Sequence, residues 1–136
     1  MFERVLTFGI ILAIGFIAYI ILRRYHLRRV AVKAAHDPLL SALKPNIPAI
    51  LYFTLPGCMP CKTQQEPALE KLQTELGDAI QIIQVDAIQD PAAARRWGVF
   101  SAPTTFILDK RGKPQTVNYG VTRTDKLKQQ LAGLVE

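Results

Sequence analysis

Residues 49–62 read AILYFTLPGCMPCK, and the fold follows from the way this stretch changes character. Ala49 to Leu55 is an apolar and aromatic run of strand length, of the kind buried on both faces of a sheet. Pro56-Gly57 interrupts it. From Pro60 to Leu76 apolar or small residues recur at helical spacing (Ala68, Leu69, Leu72, Leu76), and Gly77 supplies a stop. Cys58 and Cys61 therefore stand where a buried strand gives way to a helix. The position has a chemical consequence, because free backbone N–H groups and the positive end of the helix dipole favour a thiolate at the first cysteine. Cys58 is thus the expected attacking sulfur. Cys61, one turn further in, is placed to attack a mixed disulfide formed on Cys58. Pro60 suits a first helical turn, where its missing donor would go unused, and Lys62 adds a positive charge nearby.

Downstream, Ile80 to Val85 alternates as a strand, and Asp90-Pro91 opens a short helix, AAARRW, that Gly98 ends. TTFILD follows Pro103, and Lys110-Arg111-Gly112 turns it into a partner strand from Gln115 to Tyr119, a hairpin. Thr122-Arg-Thr-Asp125 reads as a capping box for a last helix with Leu127, Leu131 and Leu134 on its apolar face. Upstream, Asp37-Pro38 reads as cap and first position of a short helix ended by Lys44-Pro45. The order from residue 49 is β-α-β-α-β-β-α, parallel units first and a hairpin last. That order predicts an α/β fold, a mixed sheet flanked by helices. Asp86 and Asp109 at strand ends read as turn or capping residues, Trp97 as core, and Arg95 and Arg96 as a solvated helix face.

FTLPGCMPCK, VDAIQDP and WGVFSAPTTFILDKRGKP, followed by a closing helix, together resemble the thioredoxin family over roughly residues 40 to 136. The resemblance implies a thioredoxin-like fold and thiol–disulfide exchange with protein substrates through Cys58 and Cys61. It also implies a cis Pro103, with Ala102 and Pro103 shaping the substrate site and Gly57, Met59 and Pro60 around the redox pair. A cis X–Pro bond costs only about 0.5–1 kcal/mol. Three departures from the family pattern concern function. Gly57 stands where a tryptophan is usual, which predicts a more open rim. Tyr52 occupies the position of a buried acid, so that no carboxylate there takes the proton from Cys61. The helix proline comes one residue late, as Pro67. Met59 between the cysteines leaves reductant and oxidant both open.

The amino-terminal region is of another kind. From Val5 to Leu22 the chain carries no charge, and a helix of that length spans about 27 Å, enough to cross a bilayer. Arginines follow it, where a cleaved signal peptide would carry small residues. The expected division is a transmembrane anchor over residues 1–22, a basic juxtamembrane stalk over 23–36 and a thioredoxin-like domain over 37–136. Much of the net charge of +6 lies in that stalk (Arg23, Arg24, Arg28, Arg29, Lys33), which points to lipid phosphates and away from nucleic acid. The same bases place the redox domain on the cytoplasmic side by the positive-inside rule, whereas the resemblance also admits an extracytoplasmic location.

Two cysteines are too few for a disulfide framework. Inert buried thiols and metal binding are the other readings of the pair. Zinc normally takes four ligands, and only His26 and His36 remain as soft partners. The chemistry calls for no cofactor and no metal. Its partners are protein thiols or disulfides, an upstream electron donor or acceptor and the lipid bilayer. A competing class is a thioredoxin-like accessory subunit of a larger membrane complex.

Overall fold

The uncharged run continues without a break into the basic segment. In the computed structural model, which describes residues 1–34 and 37–135, one helix, α1, runs Phe2–Ala34. Its apolar side chains through Leu22 are almost all exposed, with no protein surface among the described residues to cover them, and the helix is long and apolar enough to cross a membrane. His36 lies outside the described residues.

Asp37 caps α2 (Pro38–Ser41), its carboxylate accepting from the Leu39 N–H at 2.9 Å. It also does something the sequence did not announce. The buried carboxylate accepts from Arg96 Nε at 2.7 Å, from Arg96 Nη2 at 3.2 Å and from the Trp97 indole at 2.8 Å. Arg96 is therefore not a solvated side chain as expected, but the partner of a buried acid fifty-nine residues earlier. Burial pushes the Asp37 carboxyl up, but the hydrogen bonds from Arg96, Leu39 and Trp97 and the Arg96 charge outweigh it. The net result is a carboxyl held below its ordinary value.

The sheet has the order β2-β1-β3-β4, with β1 at Ala49–Thr54, β2 at Gln81–Asp86, β3 at Thr104–Leu108 and β4 at Pro114–Tyr119. β1 is parallel to β2 and antiparallel to β3, and β3 is antiparallel to β4. All six residues of β1 are buried, as a central strand covered on both faces demands. Alternation splits them. Ile50 and Tyr52 join Ile107 under α3 (Glu66–Leu76) and α5 (Thr124–Leu131), through Leu69, Leu72, Leu127 and Leu131. Ala49, Leu51 and Phe53 join Phe106 and Leu108 on the other face, under α2 and α4 (Pro91–Arg96), around Trp97. The Trp97 and Phe106 rings meet edge to face at 5.1 Å, so Trp97 is core, as read from the sequence.

Asp86 and Asp109 do hold turns: Asp86 accepts from the N–H groups of Ile88 and Gln89, and Asp109 from those of Arg111 and Lys113. The expected capping box at the last helix is absent. The N-cap of α5 is Arg123, with no side-chain bond, while Thr122 is buried and its backbone is engaged elsewhere.

Candidate active site

β1 ends at Thr54, and the next three residues turn the chain into Cys58. Gly57 has φ of +76°, a conformation that L side chains rarely adopt, whereas a Cβ there would meet nothing within 4 Å. Backbone conformation, not lack of space, calls for glycine where the resemblance would put a tryptophan. The rim is correspondingly open: Gly57 and Pro60 are exposed, and Met59 is 65% exposed.

Cys58 opens the helix. Its carbonyl accepts from the Lys62 N–H at 3.3 Å, and its Sγ accepts from the Cys61 N–H at 3.3 Å, the bond that a serine or aspartate oxygen makes at an N-cap. Cys58 and Cys61 are joined as a disulfide, with Sγ atoms 2.11 Å and Cα atoms 5.3 Å apart. Their surroundings differ: Cys58 is half-buried, whereas Cys61 is 0% exposed in the cluster of Ile50, Tyr52, Leu69 and Leu72.

The helix then widens. Cys61–Gln65 form a π turn, with the Glu66 N–H reaching back to the Cys61 carbonyl, before α3 resumes regular winding. A π turn is one residue added to an α-helix. It accounts for the proline that comes one residue late, since Pro67 still falls in the first turn of α3. The added residue also turns Gln65 inward, fully buried, where Nε2 donates to the Thr122 carbonyl at 3.1 Å and Oε1 accepts from the Thr122 N–H at 2.8 Å. Thr124 adds a bond from its hydroxyl to the Ala68 carbonyl at 3.0 Å. The segment after β4 is thus fastened to the cysteine helix.

The same segment is fastened to the turn that precedes β3. The Ala102–Pro103 peptide is cis, as the resemblance implied, and the Pro103 carbonyl accepts from the Gly120 N–H at 2.8 Å. Thr104, the next residue, lies opposite Phe53 in the sheet, and Ala102 packs on the same cluster as Cys58. Cys58, Cys61, Ala102 and Pro103 therefore lie at one end of the sheet, with Gly57, Met59 and Pro60 at the rim. Sequence reasoning did not find Gln65 or Gly120. The displaced Pro67 was the one trace of the former.

Tyr52 lies beneath the pair. It is 1% exposed, and its hydroxyl has no hydrogen-bond partner among the described residues. Burial pushes the phenol up, and the negative charge of Glu66 adds to the rise. At neutral pH it is a neutral group, unable to accept a proton as a carboxylate would. Among the described residues no group of three or more His, Cys, Asp or Glu side chains is disposed to hold a metal ion. His26 is instead 3.2 Å from the Tyr119 hydroxyl.

The arrangement is paralleled in known proteins. The family model "Thioredoxin" matches residues 30–133. The chain is 35% identical to thioredoxin of Bacillus subtilis over 78 residues, covering 57% of this chain and 74% of that protein. It is 33% identical to thioredoxin of Rhodospirillum rubrum over 85 residues, covering 62% and 80%. Among solved structures, thioredoxin-2 of a malaria parasite superposes with a TM-score of 0.60 at 25% identity, covering 64% of this chain and 82% of that one. A capped C-x-x-C disulfide beside a cis proline, on a sheet of this order and within a matching family model, leads to one conclusion: the chain belongs to the thioredoxin family of thiol–disulfide oxidoreductases.

Proposed function

We propose that the chain is a membrane-tethered oxidoreductase exchanging disulfides with protein substrates, in which Cys58 is the attacking and Cys61 the resolving sulfur. The observation that carries the roles is the asymmetry of the pair. Cys58 is half-buried and its Sγ accepts a helix N–H, whereas Cys61 is fully enclosed. A substrate sulfur can reach the first and not the second.

In the reduced state the Cys58 thiolate attacks one sulfur of a substrate disulfide, forming a mixed disulfide and expelling a substrate thiolate that takes up a proton. Cys61 then loses its proton and attacks Cys58 Sγ, closing the Cys58–Cys61 disulfide and releasing the second substrate thiol. Two electrons and two protons pass to the substrate. A dithiol donor returns them, and the sequence runs backwards when the pair acts as oxidant. Because Tyr52 stands where a carboxylate would, water or another group takes the Cys61 proton. The cis Pro103 segment, with Ala102, and the rim of Gly57, Met59 and Pro60 receive the substrate chain.

Residues 1–22 serve as anchor, 23–36 as stalk and 37–136 as redox domain. The uncovered apolar face of α1 and the arginines after it support this division. The bases favour the cytoplasmic side for the domain. Trapping tests the roles: Cys61→Ser is expected to accumulate mixed disulfides visible on non-reducing gels, and Cys58→Ser is not. The reverse pattern would exchange the two roles.

A further inference from the structure

Outside α1, the large apolar side chains that stay exposed among the described residues are Met59, Ile88, Phe100, Tyr119 and Val121. They come from four separate segments, yet the sheet register gathers them. Met59 follows β1, and Ile88 follows β2, whose last residue Asp86 pairs with Thr54. Phe100 precedes β3, whose first residue Thr104 lies opposite both Phe53 and Tyr119. Tyr119 ends β4 and Val121 comes next. All five stand at the end of the sheet that carries the cysteines.

α1 reaches this same end. His26 meets the Tyr119 hydroxyl, and the Tyr119 ring stacks on Phe100 with centroids 4.9 Å apart. Between α1 and the β4 edge lies a cavity of about 670 Å³, with Tyr19 and Leu22 of the apolar run on its wall beside Arg23 and Lys126. No carboxylate lines it, and neither cation has an ion-pair partner among the described residues.

Height decides what these contacts mean. His26 is four residues past Leu22, about 6 Å along a helix axis. A headgroup layer is about 5–7 Å deep on each side of the hydrocarbon core. A domain held at His26 therefore has its cysteine end at the headgroups, its apolar rim toward the lipid boundary, and Arg23 and Lys126 among the phosphates. A folded soluble protein of ordinary size, with a radius of gyration of about 13 Å for 100 residues, has no room between that end and the bilayer.

We propose that Cys58 and Cys61 exchange disulfides with cysteines of integral membrane proteins at the lipid–water boundary, the redox end of the domain being held against the headgroups by α1. The proposal rests on the tethered, redox-active reading above and narrows its substrates. The exchange is the one already written, with the substrate disulfide supplied by the membrane partner.

The test uses the full chain in liposomes of phosphatidylcholine and phosphatidylglycerol, with dithiothreitol as donor and two acyl-anchored peptides carrying the same disulfide. One holds it within about 10 Å of the headgroups. The other raises it by about 40 Å on a helical spacer. The near peptide is expected to be reduced at least tenfold faster. A seven-residue helical insertion between Leu22 and Arg23, which lifts the domain by about 10 Å, is expected to shrink that ratio. Equal rates on the two peptides, with turnover that depends on Cys58, would overturn the boundary inference and leave the redox reading standing. Turnover unchanged by Cys58→Ser would sink the redox reading, and release of the chain by alkaline carbonate would sink the tether. In either case the inference falls too.

Discussion

Tyr52 and Asp37 show how little a single position reveals of its cost. The Tyr52 hydroxyl is buried without a partner, and such a group forfeits about 1–3 kcal/mol of solvation. Tyr52→Phe is therefore expected to stabilise the domain by about 1 kcal/mol in urea melts and to leave the rate of Cys61 attack unchanged. A slower second step would show that the phenol handles the proton after all. Asp37 works in the opposite sense. Because its folded-state pKa lies below the ordinary 3.8, its contribution is complete above that value and is lost as pH falls through the folded pKa. The stability gap between wild type and Asp37→Asn, measured in detergent, is expected to stay constant above about pH 4 and to close below it. Asp37 was legible as a cap because its helix begins at the next residue. Its bonds to Arg96 and Trp97 were not, since nothing local joins positions fifty-nine and sixty residues apart.

At the level of elements, the strands and helices were legible wherever one local rule applied: buried β1, the Asp90-Pro91 start, the hairpin around Gly112. They failed where a distant contact overrode a local preference. Thr122 and Asp125 have the spacing of a capping box, but Gln65 already holds the Thr122 backbone, and the chain enters α5 from Arg123. The late Pro67 announced an extra residue without saying how it is housed, since winding by π turn or by a loop leaves the same mark on the sequence. Gln65→Ala would leave the Thr122 N–H and C=O buried and unpaired. A loss of about 2–4 kcal/mol in denaturant melts is expected. Reduction of protein disulfides should fall with it, while a small soluble disulfide, which does not need the Gly120 and Pro103 walls, keeps its rate. Equal loss on both substrates would show that the clamp serves stability alone.

For the molecule as a whole, an uncharged run followed by arginines was readable as one apolar helix of spanning length, but not the end of the sheet to which the helix returns. That depends on the packing of Tyr119 and Phe100, which share no pattern with residues 19–27. The side of the membrane has a direct test. A phosphatase active only after export, joined after Val135, is expected to be silent, and a cytoplasmic reporter at the same place active. The opposite pair of signals would move the domain and its substrates across the bilayer. α1 also runs as one rod from Phe2 to Ala34 with no proline in it. Such a rod transmits azimuth as well as height. With about 100° per residue, adding a single residue near Gly15 would leave the domain at almost the same level but swing its cysteine face more than a quarter of a circle. Wherever the foot of this helix is gripped, the count of residues above the grip is a compass bearing for the chemistry at its head.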